Sequence, residues 1–137
     1  MQFIAAVNRG AEFSATFGID PAQLDRFVPL QMTYLPTKEE IELLARRHED
    51  LPKGTIKQVV AVADALRRSE ELSQGLSVRA TEEACIFLRH RIFADDPSAL
   101  PEILRSSFCG RFPGRWDDPD SDAGVAWRIV EKALGKR

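Results

Sequence analysis

The chain has 137 residues, the size of one domain or of one small domain plus a remnant. Apolar residues make up 44% and charged residues 29%, ordinary for a globular protein, and no apolar run approaches the length of a membrane span. With 19 Lys and Arg against 21 Asp and Glu the formal net charge is −2, so neither nucleic acid nor a membrane is expected as a partner.

Phe3-Ile4-Ala5-Ala6-Val7 is a continuous apolar run ending in Asn8-Arg9-Gly10. It reads as a strand buried on both faces, as in a parallel sheet. A loop follows, then a short helix opened by Asp20-Pro21, with Leu24 and Phe27 inward and an end before Pro29. Pro29 to Leu35 is the second strand-like stretch. Two strands and one helix are a crossover unit, and a sheet needs further ladder partners. The chain is therefore expected to start inside an α/β core whose earlier strands are absent. The alternative is a short amphipathic segment packed on a helical domain.

From Thr37 onward the pattern is helical throughout. Thr37-Lys38-Glu39-Glu40 predicts a capping box, with Thr37 as cap and Glu40 reaching back, on a helix over about 38–50 carrying Ile41, Leu44, Ala45 and His48. Pro52 and Gly54 interrupt the chain. A longer helix then places Ile56, Val59, Val60, Ala63 and Leu66 on one face and fades near Leu72 to Gly75. Ser77 caps the next helix, with a stripe of Ala84, Cys85, Leu88 and Ile92, stopped by Asp95-Asp96-Pro97. A short helix around Glu102 to Phe108, a Gly/Pro loop from Gly110 to Gly114, and a last helix complete the chain. Asp122 is the expected cap of that last helix, Ala126, Val130 and Ala133 its inward face, and Gly135 lies past its end. The fold class is thus mainly α, with a short α/β remnant over 1–36 and a helical domain over 37–137. Cys85 and Cys109 are expected as reduced, packed thiols of a cytoplasmic protein, since no secretory signal precedes them.

Several motifs fail on inspection. The phosphate-binding loop G-x-x-x-x-G-K-[ST] does not occur; Pro52-Lys53-Gly54-Thr55 has its lysine before the glycine. The acidic stretch Asp118 to Asp122 lacks the glycine and glutamate of a calcium loop, with Ala123 and Ile129 at those positions. His48 and His90 have no zinc-like spacing. Three residues remain as site candidates. Asn8, at the C-terminal end of the first strand, could orient a water or a phosphate oxygen, or simply make a turn. Arg26, near a helix end, could cap its own helix or offer its guanidinium to a neighbour's phosphate. Arg79 falls in the first turn of its helix, where a cation opposes the macrodipole but joins the free N–H groups as a composite phosphate site. A salt bridge to Glu82 or Glu83 is the alternative.

Asn8, the stretch Ala22-Gln23-Leu24-Asp25-Arg26-Phe27, Tyr34-Leu35-Pro36-Thr37-Lys38-Glu39-Glu40 and Ser77-Val78-Arg79, in that order and spacing, resemble the C-terminal portion of a MoxR-type AAA+ ATPase, in the branch related to the nitric oxide reductase and rubisco activation ATPases. The resemblance covers about residues 2 to 93, and the tail more loosely. It implies a remnant of the nucleotide-binding core followed by the helical lid. It further implies that Asn8 is the first sensor, Arg26 the finger reaching the adjacent subunit, and Arg79 the second sensor. The intact parent would bind ATP and Mg2+, form a ring with copies of itself, and remodel or activate a protein client. Lacking the phosphate loop and the magnesium-binding strand, this chain alone is expected to bind neither tightly and not to hydrolyse ATP. Two competing readings are a stand-alone helical protein-interaction module, and a helical DNA-binding domain using Arg67, Arg68 and Arg79; the acidic net charge opposes the second.

Overall fold

The computed structural model describes residues 22, 25–26, 28, 30, 32–90 and 99–135. The chain divides into two compact units, Met1–Thr33 and Tyr34–Arg137. The expected strand at Phe3–Val7, Asn8, the helix start at Asp20-Pro21, Ile92 and the stop at Asp95-Asp96-Pro97 lie outside the described residues.

In the first unit, Asp25 and Arg26 form an exposed turn. No strand occurs among the described residues: Met32 to Leu35, the end of the second expected strand, is irregular backbone. An extended run forms a ladder only when a neighbouring strand completes its hydrogen bonds, and none is described beside it.

The second unit is helical. Its elements are α1 (Thr37–Arg47), α2 (Lys53–Arg67), α3 (Val78–Arg89), α4 (Ala99–Ser107), a 3-10 turn at Cys109–Arg111, and α5 (Asp122–Ala133). The central element is α2, which packs on α1, α3 and α5. Its expected apolar face is buried in full, and Val62 is buried as well. A helix with apolar residues on more than one face belongs inside a core. Around it, Leu44, Leu76, Ala80, Ala84, Cys85, Ile103, Leu104, Phe108, Ala126 and Val130 complete one continuous cluster. No helix among the described residues is long and apolar enough to cross a membrane.

The helix ends differ from expectation in instructive ways. The capping box of α1 is not made: Thr37 is already helical, Pro36 stands at the cap position, and no side chain caps the end. Glu40 is instead fully buried. It accepts two hydrogen bonds from the Arg67 guanidinium, at 2.5 and 3.0 Å, and one from the Thr81 hydroxyl at 2.6 Å. Arg67 also donates from Nε to the Leu76 carbonyl at 2.7 Å, and the Tyr34 ring lies 5.0 Å from its guanidinium carbon. Arg67, one of the three arginines of the competing DNA-binding reading, is thus held in a buried ion pair, and Arg68 pairs with Asp64. A methyl group on Gly75 would overlap the Tyr34 hydroxyl, so a larger residue there would have to displace that ring.

At α5 the cap is Ser121, whose hydroxyl accepts from the Gly124 N–H at 3.1 Å; Asp122 is the first helical residue. Asp122 accepts instead from the backbone N–H and hydroxyl of Ser73. Gly135, at φ 75°, follows the end of the helix in the left-handed conformation that glycine permits. Ala133, expected inward, is exposed, and α2 ends at Arg67 rather than near Leu72.

The Glu40–Arg67 pair generates the first prediction. Removing one partner of a buried ion pair strands the other charge, so Arg67→Ala should lower the unfolding free energy in urea by about 3–5 kcal/mol. A loss under about 1 kcal/mol would mean that the pair is effectively solvated. A second prediction concerns the thiols. Both cysteines are free and buried, and burial pushes each thiol from 9.0 up to about 12, with Glu82 and Glu40 adding to the effect at Cys85. The folded-state value lies above the unfolded one, so their contribution to stability is intact below pH 9.0 and is lost as pH rises toward about 12. Urea unfolding followed from neutral to alkaline pH should show this fall, and Cys85→Ala and Cys109→Ala should each reduce its slope.

Candidate functional site

The start of α3 carries Arg79, one of the three site candidates. Gly75 and Leu76 lead into it; Leu76 is buried and its carbonyl is held by Arg67. Ser77 takes the cap position in extended conformation, without a side-chain hydrogen bond to the helix. The first turn contains no acidic residue. The Ala80 N–H bonds the Ser77 carbonyl at 3.0 Å, while those of Val78 and Arg79 have no partner one turn back, as at any helix start. Thr81 closes this turn through its hydroxyl, which bonds the Val78 carbonyl at 2.8 Å as well as Glu40.

Arg79 is the second helical residue and is exposed. Among the described residues it has no ion-pair or hydrogen-bond partner. The alternative salt bridge is not formed, and both carboxylates have other partners. Glu82 pairs with Arg47 Nη1 and with His48 Nε2, each at 3.1 Å. Glu83 pairs with Arg111. A guanidinium thus stands unneutralised beside an uncapped helix start. Two positive features at one place, with no anionic side chain on them, can receive an anion bearing several oxygens, such as a phosphate group.

The loop that presents this helix start is fastened to the C-terminal part of the chain. Ser73 bonds Asp122, Glu71 pairs with Arg128 at 2.9 Å, and the Gln74 side-chain amide donates to the Arg111 carbonyl at 2.6 Å. None of these ties was expected from the sequence. His48, expected only as a helical position of α1, is the buried residue that follows that helix. Its Nε2 carries the proton toward Glu82, and its Nδ1 has no partner among the described residues.

The three candidates stand as follows. Asn8 lies outside the described residues. Arg26 belongs to the first unit, in its exposed turn, with no ion-pair partner among the described residues. Arg79 belongs to the second unit, with the surroundings just given. No group of three or more His, Cys, Asp or Glu side chains among the described residues could hold a metal ion.

No family model matches the chain. No solved structure matches it. Over 79 residues, 58% of its length, it is 35% identical to a protein named "Putative chaperone BssE" from Thauera aromatica. The chain spans 27% of the length of that curated relative.

The exposure and lack of partners of Arg79 make its removal structurally silent. Arg79→Ala should change the unfolding free energy by no more than about 0.5 kcal/mol, the range of surface substitutions that break no contact. A loss of 1 kcal/mol or more, in the same urea titration, would mean that Arg79 supports the fold.

Proposed function

We propose that the chain is the C-terminal portion of a ring-forming AAA+ ATPase of MoxR type. Residues 1–36 would be a remnant of its α/β nucleotide-binding core and 37–137 its helical lid. The intact protein would couple ATP binding and hydrolysis, in the cytoplasm, to remodelling or activating a protein client. The observation that carries this reading is Arg79: an exposed guanidinium without a partner among the described residues, on the first turn of an uncapped helix. The helical character of Tyr34–Arg137 is compatible with a lid, and the name of the curated relative, a chaperone, agrees in kind with action on a client.

The roles divide by chemistry. Arg79 would hold a phosphate oxygen of the nucleotide by charge-assisted hydrogen bonds, tying lid position to nucleotide state. Arg26, in the exposed turn of the first unit, would offset the charge that develops on the phosphoryl group in the neighbouring subunit's site. Asn8 would orient the attacking water. Residues fit to hold phosphate are present in this chain, but the described residues include no carboxylate set fit to hold Mg2+. The sequence also has no phosphate loop, so this chain by itself is not expected to be an ATP hydrolase. A second reading, a helical protein-interaction module, draws support from Trp116. That ring is 45% exposed, with the Arg105 guanidinium 4.2 Å from its centre and Trp127 set edge-on at 6.2 Å. Trp and Arg are the side chains that interface hot spots favour.

The test uses the intact ATPase. Arg26→Ala should cut turnover by about a thousandfold or more, as removal of a finger arginine does, with a much smaller loss of nucleotide affinity. Mixing that inactive variant with one lacking the phosphate-loop lysine should partly restore activity, because some sites then pair an intact loop with an intact Arg26 from the neighbour. With subunit exchange verified, absence of any recovery would show that Arg26 does not act across a subunit boundary.

A further inference from the structure

Arg79 shares α3 with two carboxylates placed to neutralise it. Residues three and four positions apart on a helix are neighbours on its surface, and these are Glu82 and Glu83. An arginine with such neighbours ordinarily pairs with one of them. Here it pairs with neither, and both carboxylates are taken by residues of other elements. Arg47, from the last turn of α1, and His48, just beyond it, both take Glu82. Arg111, from the 3-10 turn, takes Glu83 from the other side.

These partners are themselves held. His48 is buried, 3% exposed, so it approaches Glu82 from a fixed position. Arg111 donates from Nε to the Ser107 carbonyl at 2.9 Å, and its own carbonyl accepts from Gln74, in the loop that leads to Arg79. The 3-10 turn therefore touches both sides of the candidate site: the loop before it and the carboxylate after it.

We propose that Arg47, His48 and Arg111 are positioning residues that draw Glu82 and Glu83 away from Arg79 and keep its guanidinium open to a polyphosphate anion. The polyphosphate ligand rests on the reading of Arg79 given under Proposed function; the withdrawal of the two carboxylates does not. The device explains how a helix can keep acidic residues one turn after an anion-binding arginine without losing the site. It also links the 3-10 turn to the availability of a residue some thirty positions earlier.

The test reads the availability of Arg79 in the 137-residue chain. Phenylglyoxal attacks guanidinium groups that are free, and the modified peptide is quantified by mass spectrometry. Arg111→Ala should release Glu83 to Arg79 and slow its modification by about twofold, the range of a helical ion pair. Arg111→Ala/Glu83→Gln should return the rate to that of the unaltered chain, and Arg111→Lys should leave it there. The direction of the change matters. Loosening of the fold would speed the modification, so slowing that Glu83→Gln rescues has no merely structural explanation. An unchanged rate in Arg111→Ala, or slowing that persists in the double variant, overturns the proposal. In parallel, inorganic triphosphate is titrated while the Arg79 side-chain resonance is followed by NMR. Binding should weaken in Arg111→Ala by the same factor and recover in the double variant. If the phenylglyoxal rates behave as expected while triphosphate leaves Arg79 unmoved, the withdrawal of the carboxylates stands and the phosphate reading of the site fails.

Discussion

The helical unit is organised around one buried ion pair. Glu40 and Arg67 are 0% and 5% exposed at their side chains. Taking two charges out of water costs several kcal/mol for each ion, and their attraction alone does not reliably offset it. Further hydrogen bonds on both groups must lower that cost, and the network supplies them. Thr81 supplies a third donor to the carboxylate, the Leu76 carbonyl accepts the remaining guanidinium edge, and Tyr34 covers the guanidinium face. The partners come from α1, α2, α3 and the segments before α1 and α3. An apolar contact among these elements would tolerate sliding. A directional network sets their register, which is the best-attested use of buried charge.

The register matters because it determines where α3 begins. Arg67 holds Leu76 by its carbonyl, Leu76 is buried, and Arg79 lies three residues on. The exposed ties from the same loop to α5 and to the 3-10 turn are individually weak, as surface pairs are. Together they leave that loop held at its middle as well as at its end. The arginine offered for an anion thus stands just after a loop tied to α2, α5 and the 3-10 turn. Preorganised placement of this kind lets a charge-assisted contact act without first ordering the chain.

Much of the helical layout is legible in the sequence, because it is written in local periodicity and punctuation. The face of α2 follows from the spacing of Ile56, Val59, Val60, Ala63 and Leu66, and Gly135 marks the end of α5. Other features depend on partners far away in sequence. Thr37 to Glu40 has the pattern of a capping box, and the pattern is locally sound. Tertiary context overrides it, since Arg67 stands 27 residues on with a stronger claim on Glu40. A signal was present: Glu40 shares a four-residue stripe with Leu44 and His48, and all three are buried. Arg67 likewise follows Val60 and Ala63 on a core face. Ser121 and Asp122 are both good caps, and sequence alone gives no reason to prefer the serine. The freedom of Arg79 was not legible at all, because it depends on Arg47, His48 and Arg111 claiming the carboxylates nearest it.

The central claim is that the buried pair fixes the start of α3. Amide hydrogen exchange in the variant Arg67→Met/Glu40→Leu tests it most directly, since matched apolar residues remove the network without stranding a charge. The account predicts that amides across residues 74–80 exchange faster by about fivefold or more, the effect of losing one net hydrogen bond, while those in α5 change little. Unchanged exchange at the start of α3, or an equal rise throughout α5, would contradict it.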